Sequence, residues 1–251
     1  SDVCSSDLQL FGFPGNPLYT FTVAPGSTTP TNFKAFNPPA VKPESVSSFE
    51  LGYKGLLLNS RLLIDLYGYY GQYQDFLGRV NTIQTTTGNA ADTSNPNRRR
   101  NISVVINSTD KVKTYGFGLG LDYRLPLNFI VSANLSSDVL KDVPTNFVAY
   151  FNAPKYKTNF TIGNNGFGPG KKLGFSVAWR WQQGFFYQGD FANGNLPDVH
   201  NVDAQISLKI PKANKSIIKI GATNLLNQYY YNAIGNSQIG YLVEHIYSNF
   251  I

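Results

Sequence analysis

From about residue 47 onward the chain alternates apolar and polar positions with period two, the signature of strands that keep one face in an apolar medium. The clearest run is 113–125. One face carries Tyr115, Phe117, Leu119, Leu121, Tyr123 and Leu125, and the other carries Gly116, Gly118, Gly120, Asp122 and Arg124. Elsewhere Phe49, Leu51, Tyr53 and Leu57 oppose Glu50, Gly52 and Lys54, and Leu62, Ile64 and Leu66 oppose Asp65 and Tyr67. The same alternation recurs at 129–136, 156–162, 173–182, 202–210 and 218–223. A last candidate strand, 239–251, alternates poorly, which brings the expectation to about nine strands.

Connections alternate in length. Short turns are expected at Asn59-Ser60, Pro126-Leu127, 166–171 and 211–215, and long polar connections at 77–110, 139–153, 186–198 and 225–238. Residues 9–46, rich in Pro, Gly, Thr and Asn, read as one long loop with room for a short strand at Leu18–Val23. At ~3.3 Å per residue, Tyr115 and Tyr123 stand ~26 Å apart, close to the ~25 Å apolar band between the aromatic girdles of an outer-membrane barrel. Trp179 and Trp181 join them as girdle candidates. Short turns at one end and long loops at the other suit that architecture. The expected fold is therefore all-β, an antiparallel transmembrane β-barrel occupying 47–251, with the C-terminus at the short-turn end. A soluble β-sandwich also alternates. Strands near ten residues, aromatics bracketing the apolar faces, and apolar faces without Lys or Glu weigh against it.

Composition narrows this further. Of 251 residues 42% are hydrophobic and 14% charged, against about 25% charged in a typical soluble domain. The 18 Phe, 16 Tyr and 23 Gly favour extended backbone over helix. Mean hydropathy is −0.20, and no run approaches the ~18 to 20 apolar residues of a membrane-crossing helix. A helical membrane protein is excluded; a barrel is not. The single cysteine, Cys4, excludes a disulfide framework, and His200 and His245 leave little for metal or general-base chemistry. No catalytic residue, metal site or cofactor is expected, so the chain does not read as an enzyme. There is no Met, and the chain reads as beginning mid-protein. Residues 1–8 (SDVCSSDL) look like a translated sequencing adapter and are set aside as non-native. Without Asp2 and Asp7 the net charge rises from +6 to +8.

Three features invite functional readings. Gly116, Gly118 and Gly120 mimic a phosphate-binding loop, but a spacing of two puts them on one strand face with no helix following, where small residues leave room in a lumen. The N-x-[ST] sequons at Asn101, Asn107, Asn134 and Asn159 are expected by chance in an Asn-rich chain. Arg98, Arg99 and Arg100, in the longest connection, suit an anionic ligand or lipopolysaccharide, with a solvated loop as the plainer alternative. The remaining basic residues are dispersed, which argues against nucleic acid.

Two stretches carry a family resemblance. Val41-Lys42-Pro43-Glu44-Ser45, followed by Phe49-Glu50-Leu51-Gly52-Tyr53-Lys54, resembles the KPE and E-x-G-x-K signature of TonB-dependent outer-membrane receptors. Gly221-Ala222-Thr223-Asn224-Leu225-Leu226-Asn227-Gln228-Tyr229-Tyr230 is similar to that family's penultimate-strand motif, G-x-x-N-L-[FL]-[ND]-x-x-Y. Phe151-Asn152-Ala153-Pro154-Lys155-Tyr156 and 179–187 resemble versions from the Bacteroidetes lineage. The resemblance implies about the last nine strands of a 22-stranded barrel in the bacterial outer membrane. Its partners would be a plug domain and TonB outside this chain, outer-membrane lipid and lipopolysaccharide, and the barrel-assembly machinery. It implies energised uptake of a scarce substrate such as a ferric siderophore, with glycans as a second cargo class. The tail departs from the pattern, because Glu244 shares a face with Leu242, Ile246 and Phe250. Tyr247 and Phe250 remain candidates for the terminal assembly signal.

On this reading Glu50, Lys54, Asp65, Asp122, Arg124 and Lys209 face a lumen, and Leu119→Arg is expected to impair assembly far more than Gly118→Ser. Phe185, Phe186, Tyr187, Tyr229 and Tyr231 are candidate ligand-loop residues, with a girdle role as the alternative. A small passive pore and a secreted glycan-binding β-sandwich stay open as competing functions. With two unpaired edges, a nine-stranded piece alone is expected neither to close nor to transport.

Overall fold

The computed structural model describes residues 15–24, 27, 29–145, 147–189, 193–210, 216–233 and 242–244, the backbone alone for 230–233 and 242–244. Residues 1–8, the turn at 211–215 and the tail residues His245, Tyr247 and Phe250 lie outside them. Among the described residues seventeen strands follow in order: β1 Leu18–Val23, β2 Pro30–Phe36, β3 Ser45–Leu57, β4 Leu62–Gln74, β5 Leu77–Thr85, β6 Arg99–Asn107, β7 Val112–Arg124, β8 Phe129–Lys141 and β9 Phe147–Val148. The rest are β10 Tyr156–Phe167, β11 Leu173–Gln182, β12 Phe185–Tyr187, β13 Gly194–Leu196, β14 Val199–Ile210, β15 Ser216–Ala222, β16 Tyr230–Ala233 and β17 Leu242–Glu244. They fall into two compact units, one drawn from Ser1–Ser47, Gly71–Lys113 and Leu140–Tyr150, the other from Ser48–Tyr70, Thr114–Val139 and Phe151–Ile251.

In the first unit an antiparallel sheet of order β2-β1-β5-β6, with β9 added to β5, encloses a small core. Leu18, Ile102 and Val104 are buried together, with Phe36 and Ile106 packed against them. Ile83 is fully buried, and the buried Thr82 hydroxyl donates to the Ile102 carbonyl at 2.8 Å. Phe76 sits edge-on to Tyr73 at 5.3 Å and 6.1 Å from Phe147. This corrects the sequence reading in two places. The loop expected at 9–46 carries the strand expected at Leu18–Val23 and pairs it with a second, β2. The polar connection expected at 77–110 is the hairpin β5–β6, nine residues to a strand, whose Ile102, Val104 and Ile106 alternate inward. Two 3-10 turns at its tip, Ala90–Ser94 and Pro96–Arg98, are capped by the Asn89 and Asn95 side chains.

The second unit is built on an eight-stranded antiparallel sheet of order β15-β14-β11-β10-β8-β7-β4-β3. These are the first eight strands expected from alternation, each beside its predecessor in that set. The ninth is described only at Leu242–Glu244, which pairs with β16. At the short-turn end, Asn164 is buried and latches two turns. Its amide donates to the Leu127 carbonyl and its carbonyl accepts from the Gly166 N–H, both at 2.8 Å. The connection expected at 186–198 holds the two-stranded ladder β12–β13, and that at 139–153 is shortened by β8 and β9.

Candidate functional site

Register sorts the second unit's side chains into two opposite faces. On one, Val131 pairs with Ile162, Ile162 with Val177, Val177 with Ala204, and Ala204 with Ala222. Beside that row run Ala133, Phe160, Trp179 and Val202, then Phe175, Ile206 and Ile220. Much of this face is open: Phe49, Leu51, Ile206 and Ile220 are between 55% and 70% exposed. The opposite face is polar, with Asn134, Asn159, Arg180 and Asn201 in one row and Ser176, Gln205 and Gly221 in another.

Two ion pairs and one ammonium–carbonyl bond tie charges on the polar face. Lys54 bonds Asp65 at 2.9 Å, Arg180 bonds Asp203, and the Lys209 ammonium donates to the Asn165 carbonyl. Gly52, Gly116 and Gly118 belong to this face too, and here the structure corrects the sequence reading. A side chain at Gly118 would meet the Tyr67 ring, and one at Gly116 would meet the Tyr69 ring and the Ser137 carbonyl. The glycines seat two tyrosines rather than leaving room. Tyr69 is fixed further by donating its hydroxyl to Asp138 at 2.7 Å.

Several family-motif residues make backbone contacts. In the first unit the Asn107 amide bonds both backbone groups of Lys42, accepting from N–H at 2.6 Å and donating to C=O at 2.8 Å, and also donates to the Asp75 carbonyl. Two residues on, past Pro43, Glu44 accepts from the Leu77 N–H at 2.7 Å. Together these hold the approach to β3 against the base of the β5–β6 hairpin. Nothing in the sequence paired Asn107 with Lys42, 65 positions away.

At the other motif, Asn224 is 1% exposed with φ +51°, a left-handed conformation that Asn tolerates better than most residues. Its side chain closes a loop on Gln228, donating to the carbonyl and accepting from the N–H, each at 3.0 Å. Its own N–H donates to Asp203, the residue that also holds Arg180. Leu225 N–H continues the ladder to the Val202 carbonyl, and Asn227 takes a second positive φ.

Aromatic candidates divide by surroundings. Tyr115 and Trp179 are exposed on the apolar face, while Tyr123 and Trp181 are half-buried. Trp179 stacks on His200 at 5.9 Å, and the Trp181 indole N–H donates to Asp198. His200 belongs to β14. A hollow of about 470 Å³ on this unit lies among Phe49, Tyr70, Tyr115, Phe117 and Tyr156. Phe186 and Tyr229 are more than half exposed, and Tyr187 is half-buried. For Tyr230 and Tyr231 the side chains lie outside the described residues. In the arginine run, Arg98 pairs with Asp92 at 3.4 Å and Arg99 donates to the Thr93 carbonyl, so both are tied to their own loop. No group of three or more His, Cys, Asp and Glu able to hold a metal occurs among the described residues.

An antiparallel meander with an exposed apolar face and an ion-paired polar face is the wall of a membrane barrel. Residues 10–225 match the family model for the TonB-dependent receptor-like β-barrel. The chain belongs to that family, a family of outer-membrane receptors and transporters, and its place is the outer membrane of Gram-negative bacteria. Its fold is shared with the Pseudomonas aeruginosa ferripyoverdine receptor FpvA, at 18% identity and TM-score 0.58 over 82% of this chain. It is shared also with the copper transporter OprC, at 15% identity and TM-score 0.58 over 84%. The ferric-catecholate import receptor Fiu of Escherichia coli gives 13% identity and TM-score 0.55 over 81%. The chain spans 26%, 30% and 26% of those three chains, respectively. No curated protein matches it in a sequence comparison.

Proposed function

We propose that this chain forms the C-terminal part of the barrel wall of a TonB-dependent transporter, working with a plug domain and with TonB energised by the inner-membrane proton gradient. The observation that carries this reading is the registered two-faced sheet, apolar and exposed on one side, polar and ion-paired on the other. The apolar face meets lipid, with Tyr115, Tyr123, Trp179 and Trp181 at its interfaces. The polar face meets the plug and the transported substrate. Phe186, Tyr187, Tyr229 and Tyr231 are the ligand-loop candidates. A ferric chelate is the cargo of choice, since FpvA and Fiu are described as receptors for ferripyoverdine and ferric catecholate. The lineage is Bacteroidetes, the octapeptide is of adapter origin, and assembly runs through the barrel-assembly machinery into a leaflet of lipopolysaccharide.

Uptake of radiolabelled ferric chelates by cells expressing the complete gene tests the proposal. Accumulation should stop when TonB is deleted or the proton gradient is collapsed. Uptake that survives both treatments would make the protein a passive pore.

A further inference from the structure

β4 and β7 are neighbours in the eight-stranded sheet, yet the chain departs through residues 75–111, the longest excursion between two of its strands, before it returns. Tight turns fix the register of β3 with β4 and of β7 with β8. No turn fixes this one, and the closure entropy of so long a loop changes little when the pairing shifts by two residues. Alternation forbids a slip of one, which would turn every side chain to the wrong face, but is blind to a slip of two. The polar face of β7 adds to the ambiguity, because Gly116, Gly118 and Gly120 follow one another along it. The observed register is nonetheless clear. A β-carbon at Gly120 would stand 3.6 Å from that of Asp65, Tyr67 covers Gly118, Tyr69 covers Gly116, and the Arg124 N–H donates to the Arg61 carbonyl at 2.8 Å.

Tyr69 does more than cover its glycine. The side chain crosses the whole of β7 to donate its hydroxyl to Asp138 of β8 at 2.7 Å. That path is open only because Gly116 has no side chain, since a β-carbon there would stand 2.7 Å from the Tyr69 ring. We infer that Tyr69 is the register key of the β4–β7 seam, with Gly116 as its slot and Asp138 as its catch. If β4 slips by two residues in one direction, Tyr67 lands on Gly116 without a clash, but Tyr69 comes opposite Thr114, whose branched side chain fills the path, and loses Asp138. That slip is otherwise inviting, because it brings Arg61 opposite Asp122. In the other direction both rings still find glycine, but Asp65 comes opposite Asp122, like charge against like. Each error is opposed, the first by Tyr69 and the second by the two carboxylates. The inference rests on the register of the sheet and not on the transporter reading.

Disulfide trapping reads the register directly. In an otherwise cysteine-free version of the complete protein, oxidised in isolated outer membranes, Asp65→Cys with Gly120→Cys reports the observed register at a β-carbon separation that a disulfide accepts. Leu63→Cys with Gly120→Cys reports the first slip of two. The first pair should cross-link and the second only in trace. Tyr69→Ala should raise the slipped cross-link about tenfold, the size expected for losing one hydrogen bond to a charged group, with a matching fall in the first. Tyr67→Ala removes a ring of the same kind but should leave the slipped yield unchanged, and Tyr69→Phe, which keeps the ring without the catch, should fall between. If Tyr69→Ala does not reach the membrane, Asp138→Ala decides with the ring in place: a raised slipped yield supports the key and an unchanged one overturns it. A native cross-link that falls in amount with no slipped product overturns it as well, since the ring would then add stability and no register. So does equal slippage in Tyr67→Ala. None of these outcomes bears on gradient-dependent uptake, by which the transporter reading stands or falls.

Discussion

In the first unit Leu18, Ile83, Ile102 and Val104 are buried within their own sheet, while in the second Phe49, Ile206 and Ile220 stand open along a registered face. Both regions are antiparallel strands of alternating sequence, so alternation by itself does not say which medium receives the apolar side chains. What differs is the company each face keeps. The five-stranded sheet takes these four side chains out of water. The eight-stranded sheet gathers its charges on the polar face, where Lys54 pairs with Asp65 and Arg180 with Asp203, and leaves the apolar face for an external solvent. In water a contiguous apolar face marks an interaction or aggregation surface; in a bilayer it is the correct face to present.

A charge placed on either face breaks the comparison most sharply. Ile206 and Gln205 are chain neighbours in β14, one flanked by Phe175 and Ile220, the other by Ser176 and Gly221. Ile206→Arg should cost ~2 to 4 kcal/mol in the bilayer, enough to deplete the assembled, heat-modifiable form in outer membranes, whereas Gln205→Arg should assemble normally. Equal yields would make the sheet a soluble one. The contrast first expected, Leu119→Arg against Gly118→Ser, is less clean, because a serine at Gly118 would displace Tyr67.

Next in size is the buried turn. Asn224→Ala removes both side-chain bonds to Gln228 while keeping a non-glycine residue at positive φ, and should lower stability by about 2 to 3 kcal/mol in urea titrations of vesicle-inserted protein. In the first unit, Asn107→Ala deletes three hydrogen bonds to backbone, but at a partly exposed position where water replaces some of them. A loss of about 1 kcal/mol is expected, read as faster amide exchange at Lys42 and with the Leu77 amide, held by Glu44, largely spared.

These variants also mark what the sequence could disclose. The eight wall strands were legible because a bilayer enforces strict alternation over ten or more residues, and 113–125 shows it almost without interruption. The β5–β6 hairpin was not, because Asn, Thr and Arg crowd its strands and only Ile102, Val104 and Ile106 keep the period. The two motifs were visible as words, but their work was hidden. Lys42 and Glu44 act through backbone and carboxylate contacts with residues far along the chain, and Asn224 acts through a left-handed turn whose other anchor, Asp203, lies on another strand.

The smallest expected effect concerns an exposed pair in the first unit, where Lys113 bonds Asp142 at 2.6 Å. The hydrogen bond from Lys113 holds the Asp142 carboxyl below the usual carboxylate range, against an opposing effect of desolvation and with smaller help from the charges of Lys113 and Lys141. A carboxyl depressed in the folded state contributes stability above its unfolded pKa and loses that contribution as pH falls through the folded value. The pair should therefore matter at neutral pH and fade on acidification, and it should weaken with salt because both partners are exposed. Asp142→Asn should remove this part of the pH dependence between neutral and acid conditions and leave the low-pH stability unchanged. Measured beside Ile206→Arg, it separates the water-facing region, where salt and pH tune a contact, from the apolar face, where no salt concentration rescues a misplaced charge.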